Sequence, residues 1–457
     1  MSGNVIMKFG GTSVADAEAM NRVLGIVRKQ LEASPAGKPP VVVVSAMSKV
    51  TDRLIETGRV AALGETDQAV ALLNELLERH ISVSRGLVAG PSSAGLIDRL
   101  RSDFAALTET VRGWAAHKDV SPRSHDALVA MGELASSRIV ATAFADKGIS
   151  SAWVDARRVL VTDDEHMAAI PDIGATCRRT QELVAAERAA GHVAVLGGFI
   201  GATAAGATTT LGRGGSDYSA AIFGACLDVD EIQIWTDVDG MLTADPRVVN
   251  EPRLVPELSF DEASELAYFG AKVLHPSTIL PAVSKNIPVR ILNSRRPEVA
   301  GTMITARGRG DAGAMTALAC KRGVTVVDIT STRMLMAHGF LRRLFEVFER
   351  FKTPVDVVTT SEVSVSVTVD NPKRLEDIVS NLQGFADVAC EPDMAIVCIV
   401  GENLRSDGTL FAKAVTALDG IPLRLVSQAA SRRNITFVLR DTDVAAAMNK
   451  LHDRFFR

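Results

Sequence analysis

The sequence predicts an α/β protein, with a doubly wound sheet in its larger N-terminal part and two small βαββαβ modules behind it. Three observations carry that expectation. Short, wholly apolar runs end in glycine, serine, threonine or a charged residue and pass into helical patterns, as strands of a buried parallel sheet do. Near residue 300 the helices shorten and strands outnumber them. Beyond that point one order of elements occurs twice.

Composition narrows the class. The 457 residues exceed what one core ordinarily holds, and 47% apolar with 23% charged residues is ordinary for a soluble globular chain. Fifty basic against 54 acidic residues give a net charge of −4, which argues against nucleic acid as a partner. The five cysteines are odd in number and share no CxxC spacing, so buried reduced thiols are expected. Met1–Met7 is too short and polar for a signal sequence, and no apolar run reaches membrane length. The expected location is cytoplasmic, with no membrane partner.

Asn4–Met7 is a short strand that runs into Lys8-Phe9-Gly10-Gly11-Thr12-Ser13. Behind it Met20, Val23, Leu24, Val27 and Leu31 recur at helical spacing, and Ser13 with Asp16 has the spacing of a capping box. Strand, glycine turn and helix form an anion cradle, with Lys8 at the strand exit. No GxxxxGK[ST] occurs, so this is not a Walker A loop. Val41–Val44 is a second buried strand, ending at Ser45, and Thr51 and Asp52 open the next helix. Residues 66–146 read as mostly helical. Within them Glu133 has only Val129, Ala130, Ser136 and Ser137 three and four residues away. A carboxylate on that small face has no local cation and needs a distant or bound one, such as a substrate ammonium.

Residues 151–154 and 192–197 are further strands, the second leading into Gly197–Gly201. The stretch TTTLGRGGSDY at 208–218 follows. Its glycines let backbone amides approach a ligand, and a helix starting near Ser216 would turn its positive end toward it. Arg213 offers a planar fork suited to carboxylate or phosphate. Glu231–Trp235 is a strand ending in Thr236 and Asp237, and Phe260–Phe269 is an amphipathic helix. Ligands of such sheets bind outside the carboxyl ends of the strands.

After Arg307–Gly313 the first module reads as strand Val324–Thr330, helix Phe340–Phe351, strands Val355–Thr360 and Val363–Val369, helix Leu375–Leu382 and strand Ala386–Cys390. The second has strand Met394–Val400, helix Leu410–Leu418, strands Ile421–Ser427 and Asn434–Leu439, and helix Val444–Phe455. It runs out of chain before a last strand. Met315–Cys320 is the spare apolar segment, and the expectation is that it fills that edge and interlaces the modules. Such modules without a catalytic cluster suit ligand sensing and subunit pairing.

The polar set comprises Lys8, Ser45, Thr51, Glu133, Arg213, Asp217, Thr236, Asp237, Arg247 and Lys272. It holds cations and two glycine-rich cradles but no nucleophile triad and no metal cluster. That suits phosphoryl transfer, where positioning and charge neutralisation carry catalysis. An acceptor carboxylate, with a pKa of about 4, needs no general base.

The motifs KFGGTSVAD (8–16), GELxS (132–136), GFIG (198–201), TTTLGRGGSDYSA (208–220), WTDVDG (235–240), DPR (245–247), FGAKVLHP (269–276) and TTSEVSVS (359–366) together closely resemble aspartate kinase (aspartokinase), most of all its monofunctional, lysine-sensitive type. The resemblance implies an amino-acid kinase (carbamate-kinase-like) α/β/α sandwich over 1–300 and two ACT domains, at 324–392 and 393–457. Residues 301–323 would be a linker that lends an edge strand, at about 315–320, to the second ACT module.

It further implies ATP-dependent phosphorylation of the L-aspartate side chain to 4-phospho-L-aspartate, at the entry to lysine, threonine and methionine synthesis. Lys8 would stabilise the transferring phosphoryl group, with Asp217 orienting it. Gly10 and Gly11 would cradle phosphates. Arg213 would clamp the α-carboxylate and Glu133 the ammonium, with Thr51, Phe199, Thr210, Gly214, Gly215 and Ser216 lining the pocket. Ser45, Thr236, Asp237, Arg247 and Lys272 would hold ATP, with Mg2+ bound mainly through its oxygens. An inhibitor pocket is implied around Met334, Phe340, Leu341, Val355, Asp356, Ser361, Glu362 and Val363, where the two carboxylates suit lysine; threonine is the other candidate. A homodimer or homotetramer through the ACT domains is expected. The rival readings are a kinase with a glutamate-type acceptor and a non-catalytic amino-acid sensor.

Overall fold

Valine-rich runs that are buried on both faces can only be the inner strands of a covered sheet, and the computed structural model places them there. It describes residues 3–270, 276–308, 315–331, 338–428 and 431–457. The chain forms two compact units. The first comprises Met1–Met241, Pro256–Phe260 and Val273–Gly308, and the second Leu242–Val255, Asp261–Lys272 and Arg309–Arg457.

The strands of the first unit are β1 (Val5–Phe9), β2 (Val41–Val44), β3 (Ser151–Trp153), β4 (Val161–Thr162), β5 (Val193–Gly197), β6 (Ile200–Thr203), β7 (Thr208–Thr210), β8 (Glu231–Thr236), β9 (Glu257–Ser259), β10 (Val289–Asn293) and β11 (Thr302–Thr305). The main sheet has the order β3-β5-β2-β1-β8-β10-β11-β9, and β4-β6-β7 form a small second sheet. From β3 to β10 all neighbours are parallel; β11 joins β10 antiparallel. The chain leaves β1 for β2 on one side and later reaches β8 on the other, so the order reverses at β1. That reversal opens a crevice at the carboxyl ends of the strands.

Alternation along β1 separates the two faces. Val5, Met7 and Phe9 join a core with Met20, Val23 and Val27 of helix Ala17–Ala33. The other face receives helix Gly215–Cys226, where a Cβ on Gly224 would stand 2.8 Å from the Ile232 side chain. Helices therefore cover both faces, and each fully buried large side chain such as Phe9 contributes roughly 1.5–3 kcal/mol. Helix Ala17–Ala33 is capped by Asp16, which accepts from the Ala19 amide at 2.8 Å. Ser13 takes no part in that cap. Its hydroxyl instead meets Ser294 Oγ at 2.8 Å and the Trp235 carbonyl at 3.3 Å, tying the glycine turn to β8 and β10.

The second unit is one six-stranded antiparallel sheet. Its strands are β12 (Met315–Thr330), β13 (Val358–Thr360), β14 (Ser364–Val369), β15 (Asp387–Gly401), β16 (Leu425–Gln428) and β17 (Asn434–Arg440), in the order β13-β14-β12-β15-β17-β16. The segments 315–320 and 324–330 are one strand, irregular around Gly323, and 386–390 and 394–400 likewise merge into β15. The first half of β12 pairs with the second half of β15, Ala317 opposite Val400 and Leu318 opposite Ile399. The second half of β12 pairs with β14 and with the first half of β15. Two cores result, one around Val327, Leu344, Phe348 and Val367, the other around Val397, Phe437, Met448 and Leu451. Ala244 and Val249 belong to the latter core, Leu318 N donates to the Thr243 carbonyl, and Thr243 Oγ1 meets His452 Nε2 at 2.9 Å. These contacts group residues 242–255 with the C-terminal unit rather than with the sheet before them.

Two further expectations are corrected. Cys177 and Cys226 form a disulfide, because helices Ile173–Arg179 and Gly215–Cys226 bring their Cα atoms to 4.8 Å. Cys398 is buried and free, whereas the free thiol of Cys390 is exposed. Pro122–Asp146 is long and apolar enough to cross a membrane, yet 83% of its most apolar 18-residue window is buried inside the protein. It forms two core helices, Pro122–Val129 and Met131–Asp146, and the second carries Glu133.

Candidate active site

A cavity of about 530 Å3 opens at the carboxyl ends of β1, β2 and β8. Lys8 leaves β1 on the face covered by helix Gly215–Cys226, and its ammonium lies 2.6 Å from Asp217 Oδ1 in the first turn of that helix. Both side chains are mostly buried, so the pair keeps a cation fixed at the cavity floor. The Gly10 amide already donates to the Trp235 carbonyl at 3.0 Å, which extends the β1–β8 ladder by one residue. Gly10 shapes the turn and does not offer its amide. Gly11 sits so close to β2 that a Cβ would come within 2.9 Å of the Ala46 carbonyl.

The loop before helix Gly215–Cys226 turns on Gly212 and Gly214, both left-handed with φ of 74° and 73°. A Cβ on Gly198 would stand 2.7 Å from Ser216 Cβ, so glycine lets β5 approach the helix start. Phe199, also left-handed at φ 66°, is held by its amide donating to Ser219 Oγ at 2.9 Å. Backbone strain in a bulky residue persists only where its surroundings enforce it, which marks a functional segment. The helix directs its positive end into the cavity.

Glu133 is the only fully buried acid lining the cavity among the described residues. Its Oε1 accepts from the Ala46 amide at 3.1 Å, while Oε2 is buried and has no hydrogen-bond partner among the described residues. Burial pushes its carboxyl up to about 8, against the Ala46 hydrogen bond and the nearby Lys8 charge, which hold it down. An orphaned acceptor of this kind is completed by a cationic donor.

Of the predicted residues, Lys8, Gly10, Gly11, Ser45, Thr51, Glu133, Phe199, Gly214, Gly215, Ser216, Asp217, Thr236 and Asp237 line this cavity. Arg213 does not, although both of its neighbours do, and its side chain is exposed. Thr210 is not a lining residue either. It is buried, and its hydroxyl donates to Asp126 Oδ1 at 2.6 Å. Arg247 belongs to the second unit, where its guanidinium is exposed and engaged by Asp245 at 2.6 Å. Lys272 and Met334 lie outside the described residues.

In the second unit Phe340 and Val355 pack against the first core, and Leu341, Ser361, Glu362 and Val363 are exposed. Asp356, expected to receive a ligand cation, is already neutralised. Lys321 Nζ lies 2.9 Å from both of its oxygens, and the Tyr268 hydroxyl donates to it at 2.6 Å.

Residues not anticipated also line the cavity, among them Thr12, Ser48, Lys49 and Asp52. Lys49 follows β2 much as Lys8 ends β1, a signal present in the sequence; its left-handed backbone, φ 64°, is not legible there. Asp126 was not anticipated either, and it lies behind the cavity lining rather than in it. Wholly buried, it accepts from the Met167 amide, Thr210 Oγ1 and His166 Nδ1. Burial raises its carboxyl, but hydrogen bonds from His125, Thr210, Met167 and His166 outweigh it, and the net shift is downward. The Met167 carbonyl in turn packs on Gly212, where a Cβ would come within 3.2 Å. Asp126 thus anchors the segment that backs the glycine loop.

A covered parallel sheet with a lysine-aspartate pair and a glycine-rich helix start at its strand ends is a phosphate-handling α/β fold. Residues 4–293 match the amino acid kinase family, and residues 397–455 match the ACT domain. Chloroplastic aspartokinase 3 of Arabidopsis thaliana is 38% identical over 99% of this chain and 81% of its own length. Lysine-sensitive aspartokinase 3 of Escherichia coli is 34% identical over the whole of both chains. Crystal structures of E. coli aspartokinase III, one with lysine and aspartate and one with aspartate and ADP, superpose with TM-scores of 0.83 and 0.82 at 33% identity. They cover 100% and 99% of this chain and 100% of their own. Within the amino acid kinases, the chain belongs to the aspartokinase family.

Proposed function

We propose that the chain transfers the γ-phosphoryl group of ATP to the side-chain carboxylate of L-aspartate, releasing ADP and 4-phospho-L-aspartate. One observation carries the reading: the Lys8–Asp217 pair and the orphaned Glu133 oxygen share one cavity. Glu133 takes the aspartate ammonium, the group that gives its second oxygen a partner. Arg213, carried at the cavity mouth by two glycines, meets the α-carboxylate. The side-chain carboxylate then points to Lys8. Being ionised, it attacks the γ-phosphorus directly, and the bond to the ADP oxygen breaks without a general base. Lys8 neutralises charge on the transferring oxygens, while Asp217 holds the ammonium in place.

Ser45, Thr236 and Asp237 are assigned to the nucleotide side of the cavity. Mg2+ is assigned to the nucleotide, carried in on its oxygens with its own waters. When bound, that ion offsets phosphate charge. The catalytic part is assigned to 1–300 and the regulatory ACT modules to 324–392 and 393–457, which would pair subunits as a dimer or tetramer in the cytoplasm. Lysine, present in the E. coli relative's structure, is the effector proposed for the first module, with threonine the alternative. Since Lys321 occupies Asp356, Glu362 is the carboxylate left to draw an effector cation.

Trapping the acyl phosphate with hydroxylamine tests the reaction. L-Aspartate with ATP is expected to give the hydroxamate, and L-glutamate far less; equal yields from both acids would refute the acceptor assignment.

A further inference from the structure

A second cavity, of about 620 Å3, lies on the face of the main sheet that Met7 rather than Lys8 points to. Its volume is that of a small-molecule site. One wall is helix Ala17–Ala33, which presents Arg22, Gly25, Ile26 and Lys29 on successive turns of one face. The opposite wall is β8 and β10.

That floor is unusual for an inner parallel strand, where both faces are normally apolar. The positions of β8 facing the helix are Glu231, Gln233 and Trp235, all at most 6% exposed. They form a hydrogen-bonded run: Trp235 Nε1 donates to Gln233 Oε1 at 3.1 Å, and Gln233 Nε2 to Glu231 Oε1 at 2.9 Å. Arg290 closes it, donating to Glu231 Oε2 at 3.1 Å and to the Ala300 carbonyl at 3.3 Å. Arg290 and Glu231 are therefore satisfied by each other and by their neighbours.

The helix wall is not. Arg22 Nη1 meets Glu18, but its Nε–H is buried from solvent and has no hydrogen-bond partner among the described residues. Lys29 stands two turns further along the same face. Between them Gly25 occupies a helix interior, where glycine weakens the helix, and a Cβ there would meet nothing within 4 Å. The glycine therefore answers no packing need of the protein itself; it leaves the cavity open. Ile26, Leu292, Val299 and the Trp235 ring supply its apolar surface, and Gln30 and the exposed Glu298 also line it.

We propose that this cavity is a second binding site, for a small carboxylate with an apolar body, held by Arg22 and Lys29 at one end and by the Trp235–Leu292 wall at the other. Met7 and Trp235 immediately precede Lys8 and Thr236, so an occupant touches two of the three strands that carry the first cavity.

Phenylacetate and its neutral amide, phenylacetamide, probe the site in the full chain by calorimetry and tryptophan emission. Phenylacetate is expected to bind and perturb the emission, and phenylacetamide to bind at least about tenfold more weakly. Gly25→Leu places a helix-favouring side chain in the open space and should abolish binding while the thermal transition is kept. Arg22→Gln should narrow the preference for acid over amide. Saturating L-aspartate should leave phenylacetate binding unchanged. The proposal is overturned if phenylacetate fails to bind the wild type, if acid and amide bind alike, if folded Gly25→Leu still binds, or if aspartate competes.

Discussion

Glu133→Gln isolates the charge at the ammonium site. The amide oxygen keeps the bond from the Ala46 N–H, so what disappears is the negative charge on the orphaned Oε2. Burial raises the carboxyl to about 8, so near pH 7 the free protein holds it largely protonated. Binding an ammonium must first expel that proton, which costs about 1.4 kcal/mol per pH unit below the pKa. Against this, leaving a buried charged partner unpaired costs about 2–5 kcal/mol. The mid-range difference, about 2 kcal/mol, is a roughly thirtyfold rise in the aspartate KM with little change in kcat.

Initial rates of ADP release across aspartate concentrations measure it. The wild-type KM should fall as pH rises through about 8, and the variant's should not. Stability carries the opposite sign. A carboxyl whose folded pKa is raised binds more protons folded than unfolded, so its contribution is lost as pH rises through the folded pKa. From about pH 7 to about pH 9 the wild type should lose about 1.4 kcal/mol that Glu133→Gln does not lose. An unchanged KM together with the wild-type pH slope would refute the reasoning.

Lys8→Ala should lower kcat by about a thousandfold, roughly 4 kcal/mol, while aspartate still binds; calorimetric titration and single-turnover kinetics separate the two effects. Asp126→Asn should cost about 2–3 kcal/mol in urea unfolding and raise the aspartate KM, since it releases His166 and Met167 from behind Gly212. His80 is buried against Phe104, and burial pushes its imidazole down to about 4. Its folded pKa is depressed, so stability should fall by up to about 3 kcal/mol as pH drops from about 6.5 toward about 4. Thermal melts of His80→Leu should lack that slope.

Much of the sheet was legible because its cause is local. Val41–Val44 can only be a buried strand, and Gly10-Gly11 can only be the turn at the exit of β1, which itself runs on through Lys8 and Phe9. Glu133 stood out because its helical neighbours offered no cation, and its environment bears the same mark: a buried oxygen without a partner among the described residues. What escaped depends on partners distant along the chain. Asp356 reads as a free carboxylate until Lys321 and Tyr268, from two other segments, close on it. Thr210 reads as a pocket hydroxyl until Asp126 takes it. Arg247 follows β8 closely in sequence, yet Ala244 and Val249 pack into the C-terminal core and carry it there. The Cys177–Cys226 pair likewise needs two helices to meet before the thiols do. Residues 315–330 read as two strands because Gly323 interrupts the alternation, although the ladder continues through it.

The most direct measurement is a crystal structure of the chain with L-aspartate and a non-hydrolysable ATP analogue. The aspartate ammonium is expected within hydrogen-bond reach of Glu133 Oε2, with the side-chain carboxylate turned toward Lys8. An ammonium facing solvent, with that glutamate oxygen still lacking a partner, would contradict it.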